Sequence, residues 1–118
     1  MNLKAKYDKI LLLMKGMGAM VKHIILWKLK EEFNNDKIKT QMKEKLEGLK
    51  GEIDGLLEIN VQIEKLSTSN VDVMLYSVFT DEKALKNYAT HEKHVFVADN
   101  YVRPFTEARS CIDFEIKE

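Results

Sequence analysis

Two stretches of this chain are apolar on both sides of an extended backbone, and they limit its fold more than any other feature. In Val21-Lys22-His23-Ile24-Ile25-Leu26-Trp27-Lys28-Leu29, the residues Val21, Ile25, Trp27 and Leu29 alternate with Ile24 and Leu26. In Val71 to Phe79, Val73, Leu75 and Phe79 alternate with Met74, Tyr76 and Val78. Successive side chains of a strand point to opposite faces, so both stretches need apolar cover on both faces and belong at the centre of a sheet. Two further stretches are apolar mainly on one side. Leu57, Ile59, Val61 and Ile63 alternate with Glu58, Asn60, Gln62 and Glu64, and Arg109 to Ile116 carries Ile112, Phe114 and Ile116 on one side. These read as edge strands with one wet face.

Helical signals fill the gaps. Asn34-Asn35-Asp36 supplies an N-cap, and Ile38, Met42, Leu46, Leu49 and Ile53 recur every three to four residues, an amphipathic stripe that Gly48, Gly51 and Gly55 punctuate at its end. Ser67 to Asn70 is turn-like, so the second and third strands read as a long hairpin. Thr80-Asp81-Glu82 caps a second helix to about His91, a further one spans roughly Lys93 to Val102, and Pro104 ends it. The order β-α-β-β-α-β is that of the α+β ferredoxin-like fold, whose antiparallel sheet runs 4-1-3-2 with the first and third strands central.

Helices on one face of such a sheet leave the other uncovered. Ile24, Leu26, Met74, Tyr76 and Val78 would then face water. At about 1.5–3 kcal/mol per buried large apolar side chain, that face calls for a partner. The expectation is a homodimer, two sheets packed face to face about a twofold axis into a dimeric α+β barrel.

The chain has 118 residues, enough for one core, and nineteen basic residues balance nineteen acidic ones. That balance argues against a nucleic-acid partner, and the lysines of 37–50 read as a solvated helix face. No stretch is long enough for a transmembrane helix, and the single cysteine, Cys111, fits a reducing compartment and reads as a small buried hydrophobe. A cytoplasmic protein is expected, with no membrane partner. Residues 1–19 stand apart. Their lysines outnumber Asp8, Ile10 to Met14 is too short for a signal-peptide core, and Lys15-Gly16 must be encoded by a purine-rich stretch resembling a ribosome-binding element ahead of Met20. Two readings stand: an upstream read-in with the natural start at Met20, or a genuine N-terminal helix. The domain itself is taken as 20–118.

Chemistry concentrates in Tyr88-Ala89-Thr90-His91-Glu92-Lys93-His94, which holds two of the three histidines. Residues three apart share a helix face, so Tyr88, His91 and His94 are expected on one wall of a pocket. The third histidine, His23, lies in the first strand, and Trp27 shares its face. Imidazole exchanges protons near neutral pH. Alternatively, these histidines only order the fold through hydrogen bonds, Tyr88 packs as a core aromatic, Asp113 is an exposed edge residue, and Trp27 belongs to the core. The histidines can also be read as metal ligands, but no cysteine or carboxylate stands beside them at a zinc-site spacing. No metal is expected.

Three segments resemble the Dabb family of stress-responsive dimeric α/β-barrel proteins: Met20 to Leu29, with the opening Met20-Val21-Lys22-His23; Tyr88 to Val95, similar to the family's Tyr-x-x-His-Pro-x-His; and Cys111-Ile112-Asp113-Phe114. Glu92 stands where the family usually has proline, so a more continuous helix is expected there. The resemblance implies the barrel fold and, from its polyketide-cyclase branch, a site without metal or organic cofactor. In it His94 is the general base, Asp113 accepts a proton from His94 and orients it, and Tyr88 or His23 polarises a carbonyl. That branch also uses a tyrosine in the first helix. The tyrosines here are Tyr7, Tyr76, Tyr88 and Tyr101, and Lys45 falls near the equivalent place.

Three functions follow as expectations. The first is a homodimer holding a small apolar or aromatic molecule between sheet and helices, with His23, Trp27, Tyr88, His91 and His94 at the site. The second is an acid–base enzyme acting on a carbonyl compound through His94. The third is a structural stress protein whose histidines bind nothing.

Overall fold

The computed structural model describes residues 19–116. The N-terminal extension and its two readings therefore lie, up to residue 18, outside the described residues. Four strands, β1 (Val21–Leu29), β2 (Leu56–Gln62), β3 (Val73–Phe79) and β4 (Thr106–Glu115), form one antiparallel sheet in the order β2-β3-β1-β4. This is the expected order 4-1-3-2 read from the other edge, and it leaves the sheet of a single chain open. Among the described residues three helices, α1 (Asp36–Glu47), α2 (Glu82–Thr90) and α3 (Glu92–Tyr101), cover one face. Short 3-10 turns at Glu31–Phe33 and Arg103–Phe105 join the elements. No helix among the described residues is long and apolar enough to cross a membrane.

The helices start where the sequence caps them. The Asn35 side chain accepts from the Ile38 N–H at 3.0 Å, and the Asp81 carboxylate accepts from the Ala84 N–H at 2.8 Å, each satisfying a donor that the first turn leaves free. The α1 stripe outlasts its helix: α1 stops at Glu47, yet Leu49 and Ile53 stay buried in the turns that follow. Gly55 closes that segment at φ +85°, and a Cβ there would stand 2.5 Å from the Cβ of Ala84 on α2. Glycine is required on both counts.

The chain breaks between α2 and α3 without a proline. His91 has φ −64° and ψ 133°, an extended conformation, and its Nδ1 accepts from the Lys93 N–H at 3.1 Å. His91 thus caps α3 with its own ring, and the more continuous helix expected at Glu92 does not form. Glu92 takes the first helical position, where a carboxylate favours the positive end of the helix dipole.

Register decides what each face holds. On the helix-covered face, Val73, Leu75 and Phe79 of β3 lie opposite Trp27, Ile25 and Val21 of β1; Val21 is buried, and the other five form the core with Met42, Leu46, Ile59, Val61 and Tyr88. On the open face, Tyr76 and Met74 lie opposite Ile24 and Leu26, and Ile112 opposite Ile24. The alternation of β4 puts its apolar side, Ile112 and Phe114, on this open face, where they are 59% and 41% exposed. Its polar side, with Arg109, Cys111 and Asp113, therefore turns toward the helices. Val78 differs from expectation. It is fully buried within the chain, packed in a small cluster with Met20, Leu57, Tyr76 and Ile116.

The β2–β3 connection is longer than a tight hairpin, and Asp72 at its end ties it to β1 and to the segment after β1. Its buried carboxylate accepts from the Leu29 N–H at 2.8 Å, from Asn34 at 3.2 Å and from Lys65 at 2.6 Å. Burial pushes this carboxyl upward, and Lys65, the Leu29 amide and Asn34 together outweigh it, so it sits below its ordinary value.

Candidate functional site

β4 is the strand the helices cover least, and a cleft opens where its polar side meets β1, α2 and α3. One part is a cavity of about 420 Å³ lined by Ile25, Trp27 and Leu75 from the sheet, by Tyr88 and His94 from the helices, and by Arg103 and Arg109. A second part, of about 540 Å³, shares His23 and Arg109 and continues past Cys111 and Asp113. The first lies within the range of about 300–1000 Å³ typical of small-molecule sites.

Tyr88 forms the deep wall. It is 2% exposed, and its ring lies 5.0 Å from that of Phe79 and 4.1 Å from that of His94, centroid to centroid. Its hydroxyl has no hydrogen-bond partner among the described residues although it is fully buried. A buried orphan hydroxyl costs about 1–3 kcal/mol. Burial also pushes the phenol well above its ordinary value, so it stays a protonated donor at any physiological pH.

His94 is half-buried, and its Nδ1 lies 3.2 Å from the Ala89 carbonyl oxygen. A carbonyl only accepts, so Nδ1 carries the hydrogen and donates, and Nε2 keeps its lone pair. Burial is the main reason that the ring titrates below its ordinary value, and the charges of Arg103, His23 and Arg109 press the same way against the Ala89 contact. The imidazole is thus neutral near pH 7, with one nitrogen free to accept.

His23 is fixed by its strand neighbours. It stands opposite Ser77 on β3 and Asp113 on β4, is 6% exposed, and its Nδ1 is hydrogen-bonded to Asp113 Oδ1. Asp113 therefore orients His23, and not His94 as the family resemblance implied: cross-strand register brings it to β1, while His94 takes the Ala89 carbonyl. Cys111 is exposed, contrary to the buried hydrophobe expected, with its sulfur 3.7 Å from His23 Nδ1. Burial and the neighbouring Asp113 carboxylate push its thiol up, which disfavours a reactive thiolate. His23, Cys111 and Asp113 hold ligand-type atoms within 4.8 Å of one another. They are the grouping that could take a metal among the described residues, and it is a different set from the three histidines considered in the sequence.

Of the residues singled out beforehand, His23, Trp27, Tyr88 and His94 line the first cavity, and Asp113 lies beside His23 in the second. His91 lines neither. The helix breaks at it, so the three-residue spacing from Tyr88 no longer fixes a shared face, and its ring nitrogen caps α3 instead. Sequence reasoning missed Arg103 and Arg109. A lone arginine carries no periodic signal, and only the strand order brings the second of them beside Trp27.

The family model of the stress-responsive A/B barrel domain, Dabb, matches residues 21–116. A dimeric protein of unknown function with a ferredoxin-like fold from Bacteroides fragilis superposes at TM-score 0.75 with 32% identity, over 82% of this chain and 96% of its own. A Dabb family protein from Mesorhizobium loti gives 0.70 with 17% identity, over 85% and 99% of the two chains. Hydroxynitrile lyase from Passiflora edulis gives 0.73 with 15% identity, over 85% and 95%. At the two lower identities the likeness is one of fold alone. No curated protein matches the chain. With the family model spanning nearly all of the described residues, and a ferredoxin-like sheet in the order its strands dictate, the chain belongs to the Dabb family.

Proposed function

We propose that this protein is a cytoplasmic homodimer in which each subunit binds a small apolar or aromatic molecule carrying a hydrogen-bond acceptor such as a carbonyl. The observation that carries this reading is Tyr88, which lines a part-apolar cavity and whose buried hydroxyl donor has no partner among the described residues. Native proteins rarely leave such a group unpaired, and a ligand carbonyl would satisfy it. The apolar floor of Ile25, Trp27 and Leu75 suits a hydrocarbon or aromatic body. The dimer is supported by the exposed apolar face of the sheet and by the dimeric description of the Bacteroides fragilis relative.

A second reading, proton abstraction next to the bound carbonyl, is favoured by one feature: His94 keeps Nε2 unprotonated while its ring lies against Tyr88. Tyr88 would donate to the carbonyl oxygen as charge develops there, and His94 would take the proton. Hydroxynitrile lyase from Passiflora edulis shares this fold, so the architecture accommodates an enzyme. His23 and Asp113 would form the polar side wall.

Tyr88→Phe tests the reading directly. Removing the hydroxyl should leave the ligand-free protein equally stable or up to about 1 kcal/mol more stable, because an unsatisfied group is lost, while weakening binding of aryl ketones followed by ligand-detected NMR. A loss of stability with binding unchanged would return Tyr88 to a purely structural role. His94→Ala separates the two readings, since turnover requires the base and binding requires only the cavity.

A further inference from the structure

The cavity carries two positive charges that neither the fold nor the reading above explains. Arg103 and Arg109 both line it, and among the described residues no aspartate or glutamate does. Arg103 has one carboxylate partner, Asp99, one turn back on α3, in an ion pair whose two side chains are each more than half exposed. An exposed pair of that kind holds a side chain weakly. Arg109 has no carboxylate partner among the described residues. It stands on the helix-facing side of β4, opposite Trp27 in the register with β1, so its charge sits beside the apolar floor and not on the open face of the sheet. Both guanidinium groups act on the site: each helps to hold the His94 ring below its ordinary titration range.

Two cations beside a part-apolar hollow, with no anion among the described residues of its lining, make a region of positive potential that concentrates negative ligands. The arginine fork matches a carboxylate in two parallel hydrogen bonds. Resting on the cavity-binding reading, we infer that the natural ligand is a small organic acid, whose apolar or aromatic body lies on Ile25, Trp27 and Leu75 and whose carboxylate is taken by Arg109 with Arg103. The guanidinium pair then selects the acid over neutral compounds of the same shape, and Tyr88 remains the donor for a second polar group on the ligand. Lysine at either position would keep the charge and lose the fork.

Matched pairs of probes test this: benzoate against benzamide, phenylacetate against phenylacetamide, and hexanoate against hexanamide, titrated calorimetrically into the full-length protein at low ionic strength. The expected result is that the acid of a pair binds about tenfold or more tightly than its amide, and that added salt narrows the gap. Arg109→Gln should remove about tenfold of the affinity for the acid and leave the amide unchanged. Arg109 is exposed, so its replacement is not expected to disturb folding, and a circular dichroism melt of the variant checks that. Equal binding of acid and amide, or an acid affinity untouched in Arg109→Gln, overturns the carboxylate assignment while the cavity-binding reading stands. Failure of every probe at millimolar concentration overturns both.

Discussion

The residues that define the site are held by different kinds of neighbour, and this sets how each responds to change. His23 is held by register: its strand pairing puts Asp113 and Ser77 on either side, so its orientation is as firm as the sheet. His94 is held by one local contact to the Ala89 carbonyl and by burial. Because its folded-state value lies below the ordinary histidine value, the unfolded chain binds the proton more readily. The stability linked to His94 is therefore fully present above about pH 6.5 and is lost as pH falls through the lower folded value. Melting temperature followed from pH 7.5 to 5 should fall in that window, and His94→Gln should flatten the slope. An identical slope in the variant would assign the acid sensitivity to another group. Part of this scale was readable from the sequence. His23, Tyr88 and His94 stand out as scarce, chemistry-bearing residues, but the partner of each was not, because hydrogen-bond partners come from register and from carbonyls that no sequence pattern marks.

Among the elements, the α2–α3 junction shows how different chemistry gives one backbone shape. His91 is extended, as a residue before proline must be, and Glu92 occupies the first helical position, which tolerates proline well because its N–H has no intrahelical partner. Glu92→Pro is therefore expected to fold normally and to gain about 0.4–1 kcal/mol through a less flexible unfolded chain, read as a shift of the urea midpoint. A destabilised variant would mean that Glu92 makes a contribution beyond its backbone. The same junction explains the fate of His91. A helical spacing rule holds only while the helix continues, and the chain interrupts it one residue too early for His91 to join Tyr88 and His94. The strands were legible in kind but not in facing. Alternation marks Ile112 and Phe114 as one side of β4, yet which layer that side meets depends on pairing with β1.

At the scale of the molecule, one sheet face is covered by helices and, among the described residues, the other is not. Leu26, Ile112 and Phe114 are exposed there at 36%, 59% and 41%, along one face of β1 and β4. Val78 has left that surface for the small cluster around Met20, and β4 adds apolar area the sequence reading had not counted. A twofold pairing of these faces would bury them and leave the first cavity, on the opposite side of the sheet, open, while Phe114 also borders the second. Ile112→Glu is thus expected to give a folded protomer with its binding cavity intact but with the mass of a single chain by sedimentation at micromolar concentration. A dimer that persists unchanged in this variant would rule out the open face as the interface.

The sequence by itself determined the order of elements, the two central strands, the caps of the first two helices and the scarcity of groups able to do acid–base chemistry, because periodicity, capping and composition are local properties of a chain. Only the tertiary structure decided that Asp113 serves His23, that His91 caps a helix, that Asp72 staples a loop and that two arginines border a part-apolar cavity. Those are meetings between residues far apart in the chain, fixed by strand register and helix placement, and no local pattern encodes them.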